Sequence, residues 1–317
     1  MKAQSVYFLG PGKTEVREVD IPDPGPDQVQ VRCVANGICM FEVSLFTGAE
    51  PATFPRVVGH EGIGVVTKAG TNVHHLQEGD VVDCGNWSVL QNMDARRAHK
   101  FTAPPTDSAL ALSEPVGCVV NALYAYDITP GDRVLLLGAG FMGLLNLQGL
   151  AHYPLSELVV TDIKQYNVQL AREFGATDAI QSGTSEGDAR LEELATSPFD
   201  LVVETSGAER AIQIAGTFTR PGGRLAIFSW HHAPRLLDIG LWHARGLKVL
   251  NTAPGIGADR NIDNRTRAIR LLERGVFDLH KLVTHRHSVL DVQEAMELAA
   301  QRPEGYIKGV LLFSERS

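Results

Sequence analysis

Cysteine is scarce in this sequence of 317 residues: Cys33, Cys39, Cys84 and Cys118 are the whole supply, and no two of them form a C-x-x-C pair. Neither a disulfide framework nor a zinc-ribbon lobe is indicated by that set. Basic runs are also missing, since nothing exceeds the dipeptide Arg96-Arg97, and 29 Lys and Arg against 37 Asp and Glu leave a net charge of −8. Nucleic acid and anionic membrane are therefore poor partners. No stretch reaches the roughly twenty consecutive apolar residues that span a bilayer. The opening Met1-Lys-Ala-Gln-Ser-Val-Tyr-Phe has no extended apolar core of the kind a signal peptide needs, so a cytoplasmic protein is expected. Internal repeats and low-complexity linkers are absent as well. What remains, 44% hydrophobic and 21% charged residues, is the composition of a globular protein long enough for two domains, each with its own core.

Two grammars divide the chain. Residues 1–120 read as short strands broken by Gly and Pro; segments 15–19, 28–34, 62–70 and 80–83 alternate apolar and polar positions as a β-rich domain requires. Over 121–257, buried-type runs at 133–137, 158–161, 201–204, 224–229 and 247–250 alternate with helical segments, the pattern of a doubly wound parallel sheet. The tail, 258–317, offers helices at 265–274 and 289–301 and a last strand at 308–313 in the style of the opening part. An α/β chain is predicted in which the parallel-sheet domain, 121–257, is inserted into a discontinuous β-rich domain, 1–120 and 258–317.

The most informative stretch is Val134-Leu-Leu-Leu-Gly138-Ala-Gly140-Phe-Met-Gly143, followed about twenty residues on by Asp162 at the end of a second apolar run. Gly138 permits a tight turn. Gly140 lets a pyrophosphate approach the backbone at the positive N-terminus of the next helix, and Gly143 allows that helix to pack closely on the strand. Asp162 would accept hydrogen bonds from the adenosine ribose hydroxyls, which favours NAD over NADP, and Arg172 lies too far along the following helix to receive a 2′-phosphate. A bare strand-turn-helix with small residues for packing is the plainer alternative.

Other candidate chemistry is scattered. Cys39 lies in Asn36-Gly-Ile-Cys-Met-Phe-Glu42, His60 and Glu61 in Val58-Gly-His-Glu-Gly-Ile-Gly64, and Glu114 in Leu112-Ser-Glu-Pro115. Singly, each reads as a small core residue or a satisfied surface group. Together they supply thiolate, imidazole and carboxylate, a set suited to a tetrahedral zinc with one position left for substrate. Spacing alone does not bring them together.

From Met1 to about Phe313 the chain resembles the zinc-dependent medium-chain dehydrogenase/reductase family, in particular its polyol or sorbitol-type branch. The resemblance rests on Gly37-Ile-Cys39, Gly59-His-Glu-Gly-Ile-Gly64, Ser113-Glu-Pro-Val116, Asp132-Arg-Val-Leu-Leu-Leu-Gly-Ala-Gly140, Glu204-Thr-Ser-Gly207 and Arg220-Pro-Gly-Gly-Arg224. It implies a GroES-like catalytic domain, a Rossmann domain for NAD, one catalytic zinc per chain and hydride transfer between NAD and a small alcohol or its ketone, in a homodimer or homotetramer. By position it makes Cys39 and His60 direct zinc ligands, with Glu61 and Glu114 supplying the remaining oxygens. Glu42 stands where the family usually has an Asp that orients the liganding imidazole. Lys308 stands where a family cation meets the carboxylate after the zinc histidine and the cofactor pyrophosphate. Phe141 and Met142, inside the glycine turn, and Ser206 and Ser229 fall in segments that line the cofactor.

Three departures from the family pattern stand out. The Ser or Thr that carries the substrate proton outward, two residues after the zinc cysteine, is Phe41 here, and Ser44 is the leading substitute. The four-cysteine lobe is missing, so a second, structural zinc is not expected. Ser229-Trp-His-His-Ala-Pro234 is unusually rich in imidazole, and His231 or His232 offers a substrate contact or a proton shuttle. Trp87, Trp230 and Trp242 could stack on a carbohydrate or fill the core. A zinc-free quinone or enoyl reductase of the same superfamily, and a non-catalytic NAD-sensing protein, are the competing expectations.

Overall fold

The computed structural model describes residues 1–252 and 261–313. The chain forms two compact units, Met1–Gly117 with Ile262–Ser317, and Cys118–Asn261. The expected domain boundary at 257/258 lies outside the described residues.

Alternation of apolar and polar positions produces strands from the first residues onward: β1 (Lys2–Gly10), β2 (Lys13–Asp20) and β3 (Gln28–Gly37). A short helix, α1 (Met40–Thr47), then leads to β4 (Arg56–Val57), β5 (Gly62–Ala69), β6 (Val81–Cys84), β7 (Leu90–Asp94) and helix α2 (Ser113–Ala125). β2, β1 and β4 make a three-stranded sheet. The larger sheet runs β3, β5, β6 antiparallel, with β7 also on β3. Val29, Val31 and Cys33 of β3 and Val66 of β5 point into one core with Phe8, Leu45 and Trp87. The segment Ser108–Ala125 is apolar enough to pass for a membrane span on composition, contrary to the expectation that none exists. More than half of it is buried within the protein, however, as in a core helix.

The second unit opens with β8 (Arg133–Leu137), whose Val134 to Leu137 are all buried, as a parallel strand covered on both faces must be. It continues through α3 (Phe141–Leu150), β9 (Glu157–Asp162), α4 (Gln165–Glu173), β10 (Asp178–Gln181), α5 (Ser185–Ala195), β11 (Phe199–Glu204), α6 (Glu209–Phe218), β12 (Thr219–Ile227), α7 (Ile239–Ala244) and β13 (Lys248–Asn251). All six strands are parallel, in the order β10-β9-β8-β11-β12-β13. That order reverses direction between β8 and β11, and in such sheets the crevice at the reversal is where a nucleotide is held. Asp132 and Arg224 of two family-like segments meet as a buried pair at 2.6 Å, and Arg224 also donates to the Tyr126 carbonyl, pinning the start of β8 beneath the sheet.

The chain returns to the first unit with α8 (Asn261–Glu273), β14 (Val283–Ser288), α9 (Val292–Gln301) and β15 (Lys308–Leu312). β15 pairs antiparallel with β3 and parallel with β14, so the last strand completes the sheet begun near the N-terminus. Sequence patterning did not flag β1, β4, β7, β10 and β14. β10, for example, is a four-residue strand in which Ala179 and Ile180 alone are buried.

Candidate active site

Glycine and turn geometry build the first cluster. β3 ends at Gly37, and Cys39 serves as the N-cap of α1. Glu42, at the third helical position, turns back so that its Oε2 accepts the Cys39 backbone N–H at 3.2 Å. The same buried carboxylate accepts the Gly59 N–H at 3.2 Å and lies 2.9 Å from His60 Nδ1. With two backbone donors also aimed at it, Glu42 is an acceptor, so Nδ1 carries the imidazole proton and Nε2 is left to face a metal. One side chain thus caps α1, fixes the 59–60 turn and sets the ring's tautomer.

His60 is common to two groups whose ligand atoms all lie within 4.8 Å of one another: Cys39, Glu42 and His60, and His60, Glu61 and Glu114. With Glu42 already committed to its three donors, the outward-facing set is Cys39, His60, Glu61 and Glu114. Thiol, imidazole and two carboxylates gathered about His60 are donors suited to a four-coordinate zinc. The electrostatics agree. Burial pushes the Cys39 thiol up, and the neighbouring Glu61 charge adds to the rise. Burial alone would favour a neutral His60, but the Glu42 charge and the hydrogen bonds the ring donates to Cys39 and Glu42 push it up to about 12. Without a cation both ligands hold their protons, and a divalent ion would displace them.

Glu61 is nearly fully buried and ion-paired with the equally buried Lys308 of β15. Burial would raise the Glu61 carboxyl, yet the Lys308 and His60 charges hold it below its usual range. On Lys308 burial lowers and the Glu61 charge raises, with a net rise. Gly37 makes room for this pair, because a methyl group there would run into the Glu61 carboxylate and approach Lys308. Trp87 braces the same region. Its ring is fully buried, its Nε1 donates to Asn36 Oδ1 and the Gly37 carbonyl at 3.2 and 3.3 Å, and it fills the space beside Gly59. Asn36 Oδ1 also accepts the Glu61 N–H.

Several sequence expectations need correction. Ser44 is buried and its hydroxyl donates to the Met40 carbonyl one helical turn back, so its proton is committed to α1 rather than to a relay. Phe41, in the usual relay position, sets its ring edge-on to His60 with centroids 6.2 Å apart. Trp87 and Trp242 are core residues and present no face to a sugar, whereas Trp230 is half exposed.

In the second unit Gly138 takes φ 114°, which only glycine adopts readily, and Gly140 is the N-cap of α3. A side chain at Gly143 would collide with the Gly138 carbonyl, so the helix reaches its strand only through glycine. Phe141 and Met142 occupy the first turn of α3. Asp162 accepts the Ala139 N–H at 2.7 Å and the Lys164 N–H at 2.9 Å, tying the second strand to the glycine turn. One lone pair on each oxygen remains for a ribose hydroxyl. Arg172 is held to the Ala179 carbonyl at 2.8 Å. Ser206 and Ser229 both donate inward, to the fully buried Glu204, and so organise their loops instead of offering these protons to a ligand. His231 Nε2 joins them at 3.2 Å from Glu204, while His232 packs beside Trp230.

Comparison with known proteins decides between the readings. The family model described as the alcohol dehydrogenase GroES-like domain matches residues 25–101, and that described as zinc-binding dehydrogenase matches residues 142–269. The chain belongs to the zinc-type medium-chain dehydrogenase family. Sorbitol dehydrogenase of Bos taurus is 28% identical over 92% of this chain and 92% of its own length. L-idonate 5-dehydrogenase of Vitis vinifera is 24% identical over 94% of this chain and 91% of its own. A crystal structure of an Escherichia coli oxidoreductase/dehydrogenase of unknown specificity superposes with a TM-score of 0.88 at 23% identity, covering 99% of this chain and all of that one. The family uses zinc and NAD(P), and the cluster around His60 has the donors such a dehydrogenase requires.

Proposed function

We propose that the protein oxidises a secondary alcohol of a polyol, sugar or cyclitol to the ketone, using NAD and one zinc per chain. The observation that carries this reading is that His60 is shared by two groups of potential ligands, one with Cys39 and one with Glu61 and Glu114, drawn from three separate segments. A zinc-free reductase would have no use for that convergence. When bound, zinc supplies the Lewis acidity that makes an alcohol hydroxyl easier to ionise, and NAD supplies the hydride acceptor. Cys39 and His60 would hold the metal, Glu42 fixes the ring that would do so, and Phe41 packs edge-on against that ring. Asp162 recognises the ribose diol and repels a 2′-phosphate. The sorbitol and L-idonate dehydrogenases among the relatives favour a polyhydroxylated substrate. The edge strand β13, with Val249 exposed, suits pairing with a second copy in a homodimer or homotetramer.

Metal analysis of protein purified without chelator, combined with initial rates across polyols, sugars and cyclitols with NAD and NADP, tests the proposal. One zinc per chain, loss of activity on chelation and a higher kcat/KM with NAD on at least one polyol are expected. A metal content near zero or near two, or turnover unaffected by chelation, overturns it.

A further inference from the structure

Glu204 closes β11 and is fully buried, and its two carboxylate oxygens serve different segments. Oε1 accepts the Ser206 N–H at 2.7 Å, the Ser206 hydroxyl at 2.6 Å and the Gly207 N–H at 2.9 Å, which fixes the 205–207 turn. That turn backs directly onto the glycine turn before α3. A side chain at Gly138 would run into Ser206, and Thr205 Oγ1 donates to the Gly138 carbonyl at 2.8 Å. At Gly140, by contrast, a methyl group would meet nothing within 4 Å, so the N-terminus of α3 is open to a phosphate. Oε2 of Glu204 serves the loop after β12. It accepts the Ser229 hydroxyl and lies 3.2 Å from His231 Nε2.

The contacts around His231 settle where its proton sits. Arg235 Nε, which can only donate, lies 3.4 Å from Nδ1, so Nδ1 is the acceptor and the neutral ring carries its proton on Nε2. That proton faces Glu204 Oε2 and, at 3.1 Å, the oxygen of Ser229, whose own proton is given to Glu204. Both ring nitrogens are therefore engaged by the loop and its anchor, and the ring is not the proton carrier its sequence context suggested. Arg235 reaches on to the first turn of α6, where its Nη1 stands 3.9 Å from Glu209 Oε2. One turn farther along α6, Gln213 donates to Glu209 Oε1 at 3.2 Å and to the Leu236 carbonyl at 3.5 Å. The loop is held at both ends, to β11 through His231 and to α6 through Arg235 and Leu236.

We propose that His231 and Arg235 form a clasp that holds the 229–236 loop against the 204–207 turn, and so against the glycine turn, in the shape that receives the nicotinamide dinucleotide. His231 is a positioning residue for the cofactor. The inference rests on the reading of this unit as the dinucleotide site. A loop ordered before the cofactor arrives spares binding the cost of ordering it. Without the clasp the receptive shape is one of several, and the apparent dissociation constant rises by the inverse of its population.

The test uses the full-length protein with NAD as the probe, dissociation constants from calorimetry, and amide hydrogen exchange in the cofactor-free protein. H231A is expected to raise the NAD dissociation constant at least about fivefold and to speed exchange over 229–236 while exchange over β8 stays unchanged. H231Q, which keeps a donor for Glu204 but not the acceptor for Arg235, should recover part of the loss. R235M alone should reproduce part of it, and should add less than about twofold in the H231A background. Failure of the wild type to bind NAD and NADP refutes the dinucleotide reading and the clasp with it. Where the wild type binds, an unchanged NAD dissociation constant in H231A overturns the clasp alone. So does a loss from R235M that recurs undiminished in H231A, which would make Arg235 a charge acting directly on the cofactor. A lowered urea midpoint with NAD affinity intact also overturns it, as the mark of contacts that only stabilise the fold.

Discussion

The two units of this chain assemble their sites in opposite ways. In the unit built on β8 to β13, the glycine turn and Asp162 belong to one β-α-β segment, and the fold needs only to close a local hydrogen bond from Ala139 to Asp162. In the other unit the ligands arrive from the β3-α1 junction, the 59–61 turn and the first turn of α2. The residues that hold them come from still farther away, on β6, α8 and β15. A site of the first kind can be damaged by one local change and otherwise left intact. A site of the second kind shares its supports with the core, so binding and stability are coupled.

The largest expected effect tests that coupling. G37A would drive a methyl into the Glu61 carboxylate and part the Glu61–Lys308 pair. Breaking a buried pair costs about 3–5 kcal/mol, so the urea midpoint should fall sharply and zinc content should drop with it. NAD affinity, measured by calorimetry below the unfolding midpoint, should stay within about twofold if the units are separable. Equal loss of NAD binding would erase the contrast between them.

D162S probes the local site and should be milder. The variant loses both the ribose acceptor and the Ala139 restraint, so kcat/KM with NAD is expected to fall about tenfold, near 1.4 kcal/mol, while the gap to NADP narrows and zinc content holds. An unchanged NAD-to-NADP ratio would show that Asp162 does not set the preference. Smallest of all is S44A. Because the hydroxyl is spent on the Met40 carbonyl, kcat should change by less than about twofold, and stability by about 1 kcal/mol at most. A tenfold loss of kcat with zinc retained would restore Ser44 to a proton relay.

The same contrast explains what could be read from the residues alone. The glycine turn, its flanking buried runs and the closing acid announced a parallel nucleotide-type sheet by spacing, and the α/β class with a β-rich partner followed from the change in periodicity. Cys39, His60 and Glu114 could be grouped only through resemblance, since no periodicity links the β3-α1 junction, the 59–61 turn and the first turn of α2. Arg265, which pairs with Glu114 and Asp83, and Asp83, which accepts the His99 N–H, gave no usable signal as supports of the cluster, and neither did Trp87. An arginine on an amphipathic helix, an aspartate ending a strand and a lone tryptophan are ordinary features until the sheet is folded. Ser44 misled because a hydroxyl near the right position is indistinguishable in sequence from one that bonds back to its own helix.

Trp87 has an optical consequence. Its indole is sealed from water and hydrogen-bonded at the foot of the segment that carries His60 and Glu61, so it emits toward the blue end of the tryptophan range, while the half-exposed Trp230 emits toward the red. Cobalt bound beside His60 would quench the Trp87 share of the blue component by energy transfer, a component to which the buried Trp242 also contributes. The chain thus contains a fluorescent gauge of metal occupancy that requires neither substrate nor cofactor.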